Sequence, residues 1–248
     1  MNLQEIIDKL SSAGSQSKRE QQIKLFLDQE IFPIWISEVM SKVVVSDGVN
    51  VLEYFVYNDY LCLGNNTEWF HCPMSPLTCA ELMAKYDLVL PTPKMVQQIY
   101  SAAKIKPRAI SWSELYKNET KKFNRDSTKC YLDHSKKVQE QMIQAGWNSG
   151  DLVAGHKKDI VLTNVLSNPK YKTNVAIYGW FNSDGTIIQK LNGIDHIVTY
   201  VDYSHGLRMV KDGCILNGNQ SKLTDIFEDK TLCKLVHDEP LKFKKYEK

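Results

Sequence analysis

Between positions 159 and 216 the chain breaks into six short apolar or β-branched runs, with turn dipeptides in most of the gaps. The runs are 159–166, 174–181, 186–191, 196–201, 207–210 and 214–216. The punctuation is Asn168-Pro169, Asp184-Gly185, Asn192-Gly193 and Asp212-Gly213. Strands this short, joined by turns and not by crossover helices, are expected to pair antiparallel. That expectation limits the second half of the chain to a small set of β-rich arrangements.

The first half alternates in character. Residues 3–10 and 18–32 read as helices; in the second, Ile23, Leu25, Phe26, Leu27 and Ile31 form the apolar side and Pro33 closes it. From about 39 to 72, runs at 43–45, 51–57 and 60–63 are separated by Asp47-Gly48 and Asn58-Asp59, which predicts a meander of three or four strands. A helix from Ser75 to Tyr86 follows, with Thr78 as its expected cap. An extended piece at 88–90 comes next, then a helix over 94–103 opened by Pro93. The polar stretch 104–130 is expected to be a loop or seam. Residues 131–145 should be helical and carry His134, and a last helix spans 222–229. The fold class is α+β, an antiparallel β-rich core with flanking helices. The expected organisation is a helical segment at 1–38, a meander with a helical pair at 39–103, and the seam at 104–130. A candidate catalytic region at 131–248 completes it, separate from 39–103 or continuous with it.

Charge excludes some partners. With 31 basic and 29 acidic residues among 248, the net charge is +2, so no broad basic face is available and nucleic acid is not an expected partner. No apolar run approaches the ~18 residues needed to cross a bilayer, so no membrane partner is expected. The first residues lack the basic start and apolar stretch of a signal peptide. The six cysteines contain no CxxC pair, and Cys62, Cys72 and Cys79 read as small buried hydrophobes. A reducing compartment follows as the expectation, either cytoplasmic or phage-associated. Oligomeric state is left open.

Four of the six histidines (His134, His156, His196 and His205) fall in 131–213, where there is no cysteine. Two segments there concentrate chemistry. Gly155-His156-Lys157-Lys158-Asp159 places an imidazole and a carboxylate at the mouth of a strand, although the same turn can be read as two solvated lysines leading into it. His196 to Arg208 carries Asp202, Tyr203, Ser204, His205 and Gly206. If 196–201 is a strand, His196, Val198 and Tyr200 share one face. Gly206 would then give the backbone room to approach a substrate or take a positive φ. Two mechanisms fit these groups. Ser204 can act as nucleophile with His156 or His196 as base, His205 being a poorer choice because adjacent side chains of an extended chain diverge. Alternatively, a divalent metal such as zinc, held by His156, His196 and His205, can activate water. The first mechanism needs no cofactor. Trp69, Trp112, Trp147 and Trp180 line a sugar or peptide groove or pack the core. His71 reads as a satisfied core histidine and His237 as exposed.

Ser204-His205-Gly206-Leu207-Arg208 resembles the Ser/Thr-His-Gly-Cys-x-Arg signature of the L,D-transpeptidase (YkuD-like) family, and Ile177-Tyr178-Gly179 resembles that family's strand ending in Ile-His-Gly. The departures are specific. One residue fewer separates Gly206 from Arg208, so the nucleophilic cysteine has no counterpart, and Tyr178 stands where the upstream histidine would be. A wider similarity, to a bacterial family with no established activity, runs through more of the chain. It covers 74–76, 90–96, 155–161, 178–180 and 202–208.

The resulting expectation is a hydrolase or transferase acting on an amide or ester bond, with the cell-wall peptide suggested by the L,D-transpeptidase resemblance. The partner would be a small peptide or glycopeptide substrate. His156, Asp159, His196, Asp202, Ser204 and His205 would converge as catalytic groups. Lys158, Tyr178, Trp180 and Tyr203 would contact substrate, and Arg208 would take its carboxylate. The competing expectation is a non-catalytic binding or virion-type structural protein that keeps a hydrolase-like site.

Overall fold

The structure is a computed structural model that describes residues 1–191 and 194–246, so the expected Asn192-Gly193 turn lies outside the described residues. Helices α1 (Leu3–Ser11) and α2 (Gln16–Asp28) open the chain. Asn2 caps α1 by accepting from the Glu5 backbone N–H, and Glu5 returns a bond to the Asn2 N–H. α2 stops four residues before the expected end. Glu30 turns to φ 57° and the Ile31 N–H bonds back to the Phe26 carbonyl, a Schellman closure that comes before Pro33 can act.

Strands β1 (Ser41–Ser46) and β2 (Val51–Val56) form a hairpin about Asp47-Gly48. β3 (Cys62–Gly64) and β4 (Trp69–His71) form a separate two-stranded ribbon in which Cys62 lies opposite His71. Helix α3 (Pro76–Lys85) starts at Ser75. Thr78 does not cap it: its hydroxyl, the Ser75 hydroxyl and the Ser75 N–H all donate to the buried Glu20 carboxylate of α2. An anion from another helix therefore occupies the positive end of α3. β5 (Leu88–Val89), α4 (Pro93–Ala102), the short α5 (Trp112–Leu115) and α6 (Thr128–Gln144) complete the first half.

The second half supplies β6 (Lys158–Ile160), β7 (Ile177–Phe181), β8 (Ile187–Gln189), β9 (His205–Gly206), β10 (Val210–Lys211), β11 (Gly213–Leu216) and β12 (Asn219–Lys222), then helix α7 (Leu223–Glu228). The expected meander is not what forms. β2 is hydrogen-bonded to β1 and also to β10 and β11, giving the order β12-β11-β2-β10-β5 and joining the two halves of the chain in one sheet. A second sheet runs β8-β7-β6-β9. Its β6–β9 pairing is parallel, with Lys158 against His205 and Asp159 against Gly206, while β6–β7 is antiparallel. The segments around Gly155–Asp159, Tyr178–Trp180 and Ser204–Gly206 thus lie side by side about β6. The fold is α+β with a β-rich core, and buried residues from Ile6 to Tyr246 pack as one cluster. Among the described residues no helix is long and apolar enough to cross a membrane.

One expected strand is absent. Residues 196–200 form a bend and turn whose one ladder contact is a bridge between Ile197 and Asn174, and the Gln16 side chain donates to the Thr199 carbonyl. The face predicted for His196, Val198 and Tyr200 does not exist, because a turn lacks the two-residue alternation; Val198 is buried while His196 and Tyr200 are half-buried.

Gly206 is required for packing. A Cβ there would lie 2.5 Å from Tyr60 Cδ1 and 2.7 Å from Lys157 Cβ, and its φ is not positive. The close approach is to the protein's own interior, not to a substrate as the sequence suggested. Gly206→Ala is expected to lower stability by about 1–3 kcal/mol through overpacking. Gly213→Ala, where the nearest atom is an ordinary 3.7 Å contact, should change it by no more than about 0.5 kcal/mol. Urea unfolding of the two variants checks this, and equal midpoints would contradict the packing argument.

Candidate functional site

Two groups of polar side chains flank the β6 strand. The inner group is sealed. Asp59, in the turn before β3, and His71, on β4, have their side chains almost fully buried, and His71 Nε2 lies 3.1 Å from Asp59 Oδ2. His71 Nδ1 lies 3.0 Å from the Ser135 hydroxyl on α6, so the core reading of His71 is what its surroundings describe. His156 enters from the turn before β6, with its Nε2 3.2 Å from His71 Nε2 and 3.7 Å from Asp59 Oδ1. One ligand atom each from Asp59, Cys62 and His71 lies within 4.8 Å of the others, the spacing a metal ion would use.

Next to them, Lys157 is buried and not solvated. Its ammonium donates to the Tyr203 carbonyl at 2.5 Å and lies 3.3 Å from His134 Nδ1. Burial pushes its pKa down to about 8, while the neighbouring Cys62, Asp202 and Asp59 pull it up. Asp159 accepts the Tyr60 hydroxyl at 2.7 Å, and its other oxygen is 3.9 Å from Arg208 Nε. Burial raises its carboxyl to about 7, against the pull of Arg208 and Tyr60. Arg208 has no exposed surface. Its guanidinium lies 3.9 Å from the Tyr60 ring centre and donates to the Tyr57 and Val153 carbonyls. With no surface on solvent, the guanidinium is out of reach of a substrate carboxylate even though its Nε has no hydrogen-bond partner, so that expectation is corrected.

The outer group is built on the turn into β9. Asp202 accepts from the Ser204 N–H at 2.8 Å, the Ser204 hydroxyl at 2.6 Å and the Tyr200 hydroxyl at 3.1 Å. Burial opposes its ionisation, but His205, the Ser204 hydroxyl and Lys158 outweigh that and hold the carboxyl at about 2. The Asp202 N–H donates to His205 Nδ1, which puts the proton of the neutral ring on Nε2. That Nε2 is buried and without a partner. His196 stacks on Tyr200 with ring centres 4.0 Å apart, and its ring centre is 6.2 Å from that of His205. Lys158, partly exposed, places its ammonium 4.6 Å from the centre of the Trp180 ring.

The expected convergence of six catalytic residues is therefore divided. His196, Asp202, Ser204 and His205 assemble together, whereas His156 makes its ring contacts with His71 and Tyr60, and Asp159 is committed to Tyr60 and Arg208. The metal set of His156, His196 and His205 is divided in the same way. Ser204 bonds a carboxylate, not an imidazole. Tyr203 is buried, and Tyr178 is half-buried with its hydroxyl accepting from Gln97. Trp69 and Trp147 pack on Trp35 with ring centres 5.2 and 5.3 Å from it, whereas the ring neighbour of Trp112 is Tyr116 and Trp180 lies beside Lys158. His237 is buried at 9% exposure, with Nδ1 2.6 Å from the Glu239 carbonyl, and not exposed as expected.

Asp59, Cys62, His71, His134 and Ser135 were not singled out as a group by the sequence. One signal was present. Gly64-Asn65-Asn66-Thr67 between two apolar runs is a hairpin turn, and folding the chain there sets Cys62 opposite His71. No family model matches the chain, and neither the curated proteins nor the solved structures contain a match to it.

His205 makes the outer group sensitive to acid. Burial lowers its pKa from 6.5 to about 4, against the pull of Asp202. The unfolded chain therefore takes up a proton that the folded chain refuses. This stabilisation is complete above 6.5, shrinks as pH falls toward about 4, and loses nothing more below that. His205→Gln, which keeps an acceptor for the Asp202 N–H, should flatten the fall in stability between pH 6.5 and 4 by up to ~1.4 kcal/mol per pH unit. Unfolding free energies across that range provide the check, and an unaltered slope would mean that the ring protonates freely in the folded protein.

Proposed function

We propose that the chain is a hydrolase or acyl-transfer enzyme acting on an amide or ester bond, with the outer group as its reaction centre. The observation that supports this reading most is the buried, unpartnered His205 Nε2–H beside His196. A donor sealed from water without an acceptor costs about 1–3 kcal/mol, a cost removed when a carbonyl oxygen arrives. His205 is neutral at physiological pH, so it would polarise the scissile carbonyl without delivering charge.

His196, half-buried, would remove a proton from water as the oxygen attacks the carbonyl carbon. The same proton then passes to the departing amine or alcohol as the carbon–nitrogen or carbon–oxygen bond breaks. Asp202 would hold the turn by accepting from Ser204 and Tyr200. Lys158 replaces Arg208 as the cation for a substrate carboxylate. Direct attack by water is preferred to attack by Ser204, because the Ser204 hydroxyl already donates to Asp202 at 2.6 Å and would have to turn away from it. His196 and Tyr200 cover His205, so substrate must displace that pair to reach the carbonyl-binding position. A cell-wall peptide is the substrate class suggested by the similarity of Ser204-His205-Gly206 to the L,D-transpeptidase signature.

The test is incubation with peptidoglycan fragments and with activated peptide esters, read by mass spectrometry. His205→Ala and His196→Ala should each lower the rate by about 10²-fold or more, while Ser204→Ala leaves most of it. Turnover abolished by Ser204→Ala would instead indicate a covalent acyl-enzyme. No product from any of these substrates with the unmodified chain would favour the non-catalytic binding protein, a reading that the burial of Ser204 and His205 to 1% exposure supports.

A further inference from the structure

We propose that Asp59, Cys62, His71 and His156 form a closed four-ligand site for a zinc-class divalent cation. This centre would tie the β3–β4 ribbon to the turn before β6. It lies in the inner group and does not depend on the reaction assigned to the outer one.

Geometry comes first. Metal–ligand bonds of about 2.0–2.3 Å at tetrahedral angles set the ligand atoms roughly 3.3–3.7 Å apart. His71 Nε2 and His156 Nε2 are 3.2 Å apart, His71 Nε2 and Asp59 Oδ2 are 3.1 Å apart, and His156 Nε2 and Asp59 Oδ1 are 3.7 Å apart. Cys62 joins through a second set: one ligand atom each of Asp59, Cys62 and His71 lie within 4.8 Å of one another, while His156 is tied to the site by its distances to His71 and Asp59. Its position follows from the ribbon, where Cys62 and His71 are register partners across an antiparallel pair. All four side chains are buried, three of them with no exposed surface and His71 with 1%.

A hydrogen-bonded network alone does not account for His156. If His71 donates from Nε2 to Asp59 and receives the Ser135 hydroxyl hydrogen at Nδ1, then Asp59, His71 and Ser135 are all satisfied. His156 is not satisfied. Its Nδ1 is buried with no partner, and its Nε2 faces a histidine nitrogen whose proton is already directed at the carboxylate. A cation among these atoms accepts the lone pairs of both Nε2 atoms at once, which settles the Nε2 contact but leaves the His156 proton on Nδ1, where it is buried without an acceptor. The His71 Nδ1–H then donates to Ser135, the kind of outer partner that orients a ligating imidazole.

The donor set selects the ion. One thiolate, two imidazoles and one carboxylate suit zinc or cobalt and are poor for magnesium or calcium, which take oxygen ligands. Binding exchanges the Cys62 sulfhydryl proton for a metal–sulfur bond and releases that proton to solvent, with no change in oxidation state. In the structure the thiol donates to the Tyr60 carbonyl, the bond given up in this exchange. The two anionic ligands cancel the charge of the dication, so the occupied centre is neutral; with one proton released, binding raises the charge of the site by one beside Lys157 and Arg208. Four protein ligands with no open position describe a structural metal, not one that binds a substrate.

The test is elemental analysis of the full chain purified with zinc and dialysed, followed by replacement with cobalt(II). About one zinc per chain is expected, together with strong tetrahedral cobalt d–d bands and a thiolate-to-cobalt charge-transfer band. Cys62→Ser should remove the charge-transfer band, and His156→Gln should weaken metal binding by about 10-fold or more. His205→Ala should retain the metal, so failure of the reaction proposed for the outer group and failure of the metal site are distinguishable. If the ligand variants do not fold, the cobalt spectrum of the unmodified chain and the loss of thermal stability on chelation carry the test. A folded chain with less than about a tenth of an equivalent of zinc and no cobalt band overturns the proposal, and so does a charge-transfer band that survives Cys62→Ser.

Discussion

The interior is organised by a guanidinium that never reaches water. Arg208 donates to the carbonyls of Tyr57, at the end of β2, and Val153, shortly before His156, and it lies against the Tyr60 ring facing Asp159. These contacts bring together three stretches that lie 49 or more positions apart in sequence. A buried charge left without its partners costs several kcal/mol, so the Tyr57, Val153 and Asp159 positions are fixed relative to one another if the chain is to fold at all. That constraint places His156 against the β3–β4 ribbon and leaves Gly206 as the residue that fits between Tyr60 and Lys157.

Much of the architecture was legible from local patterns. The helices at α1, α3, α4, α6 and α7 follow apolar spacing, with Pro or Ser start signals for α3, α4 and α7, and the β1–β2 hairpin follows Asp47-Gly48, whereas α5 and the first turn of α6 fall in the stretch 104–130 read as a loop. The failures were of two kinds. Pairing of β2 with β10 and β11 joins residues more than 150 positions apart, and turn dipeptides say nothing about which distant edge a strand meets. Residues 196–201 have strand-like composition but form a turn, because tertiary contacts of His196 and Val198 outweigh β propensity there. Both failures concern which partner a segment finds, not what the segment prefers locally.

The candidate site divides along the same line. Asp202, Ser204 and His205 were visible together because they are adjacent in sequence and bond to one another. Asp59, Cys62, His71 and His156 were invisible as a set. Asp59 read as a turn residue, Cys62 as a hydrophobe and His71 as core, and each description is accurate for the residue taken alone. What unites them is a hairpin register, signalled only by the turn at 64–67, and the clamp of Arg208, which no local spacing encodes.

A dense run of functional side chains in the sequence is by itself weak support for catalysis. In 202–208 most of the polar groups satisfy one another: Asp202 is saturated by Ser204 and Tyr200, and Arg208 is held by backbone oxygens. Chemistry requires a group that the fold has not already used. By that criterion the informative atoms are the few buried ones without partners, above all His205 Nε2 and His156 Nδ1. The first donates into a position lined by His196 and Tyr200, where a carbonyl oxygen would complete it. The second belongs to a ring whose Nε2 faces His71 and Asp59, where a cation would engage that nitrogen and leave Nδ1 with the ring proton. The two histidines thus differ in what the fold leaves unmet, and that difference is the basis for proposing a reaction at one and a structural metal at the other.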